Sequence, residues 1–240
     1  MASAEARIDL AAAFRLAARF GFHEGICNHF SLAVPNEADR FLLNPYGRHW
    51  SELRAGDLLV VDGSGKVMAG HGTAEATAFF IHSRIHRGNQ GAACVMHTHM
   101  PHATALTTLA HGRLDWISQT SARFYDRVAY DDEYNGLVLD EAEGDRIAAT
   151  LGDKNVLFLA NHGVIITGDS VAEAFDDLYY LERVCQLQIL AYQTGRPLRR
   201  LTHDTLRLTQ RQMMADEQSA RDHFAALKRV LDRDEADYAS

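Results

Sequence analysis

Apolar positions along the chain fall into two periods. Between residues 3 and 20, Ile8, Leu10/Ala11, Phe14 and Ala17/Ala18 recur at the spacing of one helical face, and Gly21 follows where a C-cap belongs. Thr73 to Arg87 repeats the pattern through Ala78, Ile81 and Ile85, with Gly72 or Thr73 to cap it, which puts Glu75 in the first turn. Pro101 can open a helix reaching Leu109, and Glu141 to Leu151 makes another. Two long helical patterns run from Val171 to Tyr192 and from Asp204 to Val230.

Shorter runs of strand character lie between them. His29 to Val34 and Arg40 to Leu43 are followed by Asp57 to Val61 and Lys66 to Met68, the last two joined as a hairpin by Asp62-Gly63-Ser64-Gly65. Ala93 to His99, Asn155 to Ala160 and Val164 to Thr167 are apolar strands. Strands mixed with flanking helices predict a layered α/β sandwich, and the hairpin argues against a purely parallel sheet.

Composition narrows the possibilities. The 240 residues are 47% hydrophobic and 23% charged, with 4 prolines and no linker or repeat, which predicts a single domain. A net charge of -8 without a Lys/Arg block argues against nucleic-acid or anionic-membrane partners. The opening segment MASAEARIDLAAAFRLAARF has neither a signal-peptide core nor a membrane-spanning run, and Cys27, Cys94 and Cys185 form no C-x-x-C, so a reduced, cytoplasmic setting is expected.

The candidate chemistry is histidine-based. In a strand His97 and His99 point to one side while Thr98 faces away, the geometry of a metal pair. A catalytic ion takes three protein ligands and keeps one position open, and His162, in Asn161-His162-Gly163 at another strand end, is the best third ligand. Glu75 is the carboxylate best placed as ligand or acid/base. Strand-end histidines satisfied by backbone or water fit H-x-H equally well, and Glu75 could simply favour the positive end of its helix. His82 and His86, four apart, read as a polar helix face, and His23, His49, His111, His203 and His223 as surface or packing residues.

Along residues 5 to 195, Asn28-His29-Phe30-Ser31, Asn44-Pro45-Tyr46-Gly47, Asp57 with its hairpin, Thr73-Ala74-Glu75, His97-Thr98-His99 and Asn161-His162-Gly163 occur in an order that resembles the class II aldolase/adducin family. The resemblance implies an α/β/α sandwich around a largely antiparallel sheet, one domain over residues 1 to 240 with 200 to 240 as a C-terminal helical extension, and a homotetramer. It implies one divalent ion per subunit, zinc first with manganese, cobalt or iron as alternatives, held by His97, His99 and His162 with Glu75 as acid/base. Cys27-Asn28, Tyr46-Gly47 and Thr73-Ala74 stand where the sugar-phosphate enzymes grip phosphate, so Asn28, Tyr46, Gly47 and Thr73 are expected to line a site for a small, non-phosphorylated substrate.

The function so implied is a metal-dependent carbon-carbon lyase, an aldolase or decarboxylase, working through a metal-stabilised enolate on a hydroxy-carbonyl or carboxylic acid. Tyr134, otherwise a surface or interface residue, or another hydroxyl would protonate the leaving fragment, and Arg48 or Arg123, each read first as a solvated charge, could meet a carboxylate. A sugar-phosphate epimerase or dehydratase, and a non-catalytic adducin-like interaction module, are the alternatives.

Overall fold

The computed structural model describes residues 3–35, 37, 39–89 and 91–240; Met1 and Ala2, the start of the segment behind the targeting expectation, lie outside them. The chain begins with α1 (Ala4–Arg19), whose Ser3 side chain accepts the Ala6 amide. An antiparallel meander follows: β1 (His29–Ala33), β2 (Arg40–Leu43), β3 (Leu59–Asp62) and β4 (Val67–Ala69). Next come α2 (Ala76–Gly88), β5 (Cys94–Thr98) and α3 (Pro101–Thr107), then β6 (Val128–Asp131), α4 (Glu141–Leu151), β7 (Val156–Leu159), β8 (Gly163–Gly168) and α5 (Val171–Gln193). Two further helices, α6 (His203–Met214) and α7 (Ser219–Asp234), complete the fold.

The eight strands form one sheet in the order β4-β3-β2-β1-β5-β8-β7-β6, antiparallel at every neighbour except β6 with β7. Strand alternation divides the core between its faces. Cys94 and Met96 pack with α1, α3 and α5, whereas Val95 packs with Ile81 and Ile85 of α2 and Ile147 and Leu151 of α4. The result is the expected α/β/α sandwich, and among the described residues no helix is long and apolar enough to cross a membrane.

Three boundaries differ from the sequence expectation. Glu75 is the N-cap of α2 in extended conformation rather than part of its first turn, because Gly72 at φ 132° and a hydrogen bond from the Tyr46 amide to the Thr73 carbonyl (2.8 Å) hold the lead-in out of the helix. The last helical pattern breaks at Ala215: α6 buries Leu206 beside Ala122 and Tyr125, while α7 turns to seat Phe224 against Phe175 of α5. β6, with only Asp131 fully buried, lacks the apolar alternation that marks the inner strands.

α2 is joined to the sheet by polar contacts as well as apolar ones. His82 and His86 point inward from successive turns, matching the spacing of His29 and Ser31 on the same face of β1. His82 bonds His29 (2.8 Å) and the Ser31 hydroxyl (2.6 Å), and His86 bonds the same hydroxyl (2.7 Å) and the Ala92 carbonyl (2.6 Å). These two histidines are therefore not a solvated polar face. Burial, then His82, His162 and His99, holds His29 well below the ordinary value of 6.5; burial, then His86 and His97, does the same for His82; and burial pushes His86 down to about 4 against the opposing hydrogen bond to Ala92.

This cluster makes the fold acid-sensitive. Unfolding restores each ring to near 6.5, so below that pH the unfolded chain binds protons that the folded chain refuses; the rings' contribution is full above pH 6.5 and declines as pH falls toward 4 and beyond. Urea denaturation of metal-free protein between pH 7.5 and 4.5 is expected to show stability falling with pH, each ring adding up to about 1.4 kcal/mol per pH unit. His82→Gln should make that slope shallower by about one proton.

Candidate metal centre

The site forms where β5 ends. His29 of β1 stands directly opposite His97 of β5, and on the other side Thr98 faces Val164 of β8. β8 is entered through a tight turn in which Asn161 takes φ 56°, which delivers His162 beside the end of β5. Gly163 is required there for space rather than for a left-handed backbone: an added Cβ would lie 2.5 Å from the Thr98 carbonyl oxygen and 2.7 Å from His99 Cδ2.

This close approach gathers three imidazoles. One ring nitrogen from each of His97, His99 and His162 lies within 4.8 Å of the other two. Their ring centroids are 5.0, 4.8 and 4.8 Å apart for the pairs 97/99, 97/162 and 99/162.

The surrounding residues decide which nitrogens are free. His97 Nδ1 lies 3.0 Å from the Val164 carbonyl oxygen, and His99 Nδ1 bonds the Glu24 carboxylate. Carbonyl and carboxylate oxygens only accept, so both Nδ1 atoms carry a proton, and Nε2 is the atom left to act as a donor to an ion. His99 Nε2 is buried with no hydrogen-bond partner among the described residues. Burial, then His162, His29 and His99, hold His97 well below its ordinary value; burial and then His99 lower His162 to about 4. Three converging imidazoles, two of them with Nδ1 committed to an acceptor and one with a buried, unpartnered Nε2, are the donor set a divalent cation needs, and the residues fit one.

The other expected site residues arrange themselves in two connected groups. Asn28, at φ 77°, closes the turn that carries Glu24 by accepting its amide at 3.0 Å, and Asn28 Nδ2 is buried without a partner. The neighbouring Cys27 thiol is pushed up by burial and then by the carboxylates of Glu75 and Glu24, so Glu75 faces the same turn. Tyr46 and Thr73 are tied through their backbones, with Gly47 next to them at φ 85°. Tyr134 is half exposed, its ring 6.2 Å from that of His162.

The arginines fall elsewhere. Arg123 is neutralised by Asp176 and Asp177, and Arg48 pairs with Asp57 at 3.3 Å. A cleft of about 1110 Å³ contains Arg123, Arg127, Asp177 and Tyr180 but none of the three clustered histidines. Glu24 and His29 were not among the sequence candidates. Glu24 belongs to an irregular turn with no periodic signal, whereas His29, two before Ser31 in a strand, carried a signal that only the β1–β5 register makes legible.

Known proteins resemble the chain along most of its length. A crystal structure of an aldolase II superfamily protein from Pseudomonas syringae superposes with a TM-score of 0.92 at 36% identity, covering 99% of this chain and 96% of that one. A Caulobacter vibrioides protein placed by its name in aldolase class 2 is 37% identical over 193 residues, 80% of this chain and 74% of its own. The Streptomyces niveus protein named Decarboxylase NovR is 32% identical over 205 residues, 85% of this chain and 75% of its own. Residues 8–189 match the family described as Class II Aldolase and Adducin N-terminal domain; with the histidine cluster at the strand ends that carry its motifs, the chain belongs to the class II aldolase and adducin family.

Proposed function

We propose that the chain is a divalent-metal-dependent carbon-carbon lyase, of aldolase or decarboxylase type, acting on a small non-phosphorylated hydroxy-carbonyl or carboxylic acid. The observation that carries this reading is the triad itself: His97, His99 and His162 converge with Nδ1 of two rings pinned and His99 Nε2 buried without a partner. A family relative named as a decarboxylase supports the carboxylic acid branch.

His97, His99 and His162 hold the ion, zinc by preference, which when bound supplies Lewis-acid stabilisation of charge developing on a substrate oxygen. Glu75, on the extended lead-in to α2 beside the Cys27 turn, moves the proton to and from the substrate carbon. Asn28 Nδ2 donates to a substrate oxygen, since none of the described residues uses it. The Tyr46–Gly47 backbone and Thr73 flank the entrance, and the exposed Tyr134 hydroxyl protonates the leaving fragment. Assembly as a homotetramer in the cytoplasm completes the proposal.

Metal analysis comes first. The purified protein is expected to carry one divalent ion per chain, and His97→Ala and His162→Ala to lose it; a folded protein that binds no ion favours an interaction module instead. Glu24→Gln should keep the fold and weaken metal affinity by about 10- to 100-fold, read by competition with a chelator.

Glu75→Gln is expected to retain the ion and lose turnover by about 100-fold or more. Screening small hydroxy acids and hydroxy-carbonyls for carbon dioxide against aldehyde release separates the two lyase types, and full turnover in Glu75→Gln removes its assigned role.

A further inference from the structure

The contacts between β1 and α2 hold more information than packing requires. They form one continuous chain, Ala92 carbonyl–His86–Ser31–His82–His29, and every link lies between 2.6 and 2.8 Å. The direction of each bond follows from its first member. The Ala92 carbonyl only accepts, so His86 carries its proton on Nδ1 and its neutral Nε2 must accept. Ser31 therefore donates its hydroxyl hydrogen to His86 and accepts from His82 Nδ1–H. His82 Nε2 is left as an acceptor, so His29 donates from Nδ1 and keeps a bare Nε2.

His29 is not an ordinary core histidine. Its ring lies 5.0 Å from that of His97, and both His162 and His99 act on it electrostatically. Its Nδ1 is committed to His82, which leaves Nε2 on the side of the ring away from α2. No protein hydrogen bond engages that nitrogen among the described residues, and it is not one of the three sets of nitrogens that converge within 4.8 Å. The chain thus maintains an acceptor beside the histidine triad, set by a backbone carbonyl four side chains away.

We propose that Ser31, His82 and His86 are positioning residues that lock His29 in its Nδ1–H tautomer, so that His29 Nε2 accepts the hydrogen of a substrate hydroxyl at the triad. The acceptor role rests on the metal-site reading of function and deepens it, since it selects a substrate bearing a hydroxyl next to the group that meets the ion. The tautomer lock stands on the β1–α2 contacts alone.

Two measurements test the two halves separately. In a protein labelled with ¹⁵N at histidine, two-bond ¹H–¹⁵N spectra should show His29, His82 and His86 as neutral Nδ1–H tautomers. Ser31→Ala should release His29 and His82 to populate Nε2–H with metal content unchanged, and Ser31→Thr, which keeps the hydroxyl, should restore the lock. A proton on His29 Nε2 in the unmodified protein, or a His29 tautomer indifferent to Ser31→Ala, overturns the lock whether or not the variant is otherwise sound.

For the acceptor, calorimetry on the zinc-loaded protein should find glycolate bound about fivefold more tightly than acetate, with the preference lost in Ser31→Ala. Equal affinities in the unmodified protein overturn the acceptor role. Failure to load zinc overturns the functional reading and the acceptor role together, and the tautomer spectra still decide the lock.

Discussion

The distance between β8 and the end of β5 is the constraint on which the site depends. Glycine at 163 removes the Cβ that would otherwise strike the Thr98 carbonyl and the His99 ring, and only then can His162 share a point with the two imidazoles at and just beyond the end of β5. The neighbouring pairs bring in the remaining pieces: β1 on the opposite edge of β5 sets His29 against His97, and the Val164 carbonyl just past Gly163 fixes the His97 tautomer. A single small residue thus determines the spacing of the three imidazoles and places the carbonyl that orients one of them.

Neutrality is the second condition. His29 and His97 on the sheet, His82 and His86 on the helix packed against them, and His162 at the strand ends form one group, and burial disfavours charge on each of them. Neutral imidazole has one donor and one acceptor, so a group of such rings must agree on hydrogen-bond direction or leave buried nitrogens unpaired. Backbone carbonyls at Ala92 and Val164 supply that agreement at the inner end, and the Glu24 carboxylate supplies it at the open end. Where an unpaired lone pair persists, at His99 Nε2, the triad faces it.

Much of this was legible in the chain. Period-two placement of His97 and His99, and the turn residues around His162, announced converging imidazoles because side-chain direction in a strand follows from local geometry. The hairpin at Asp62-Gly63-Ser64-Gly65 and the long amphipathic helices were readable for the same reason. What escaped depended on register and packing. His82 and His86 share a helix face with either solvent or sheet, and only the placement of α2 over β1 decides that they bond Ser31 and His29. Glu24 sits in a turn shaped by Asn28 at φ 77°, a conformation no periodic pattern encodes.

The two sides of the triad differ in how firmly they are held. On the His97 side the partners are a backbone carbonyl and buried strands, which cannot move without disturbing the sheet. On the His99 side the partner is a carboxylate that is 66% exposed, carried on a turn whose geometry depends on a side-chain amide. Charge on such a carboxylate is screened by solvent, so its hold on His99 is directional more than energetic. Asn28 accepts with Oδ1 to shape that turn, so the firmness of the His99 side rests on one amide, whose Nδ2 has no hydrogen-bond partner among the described residues.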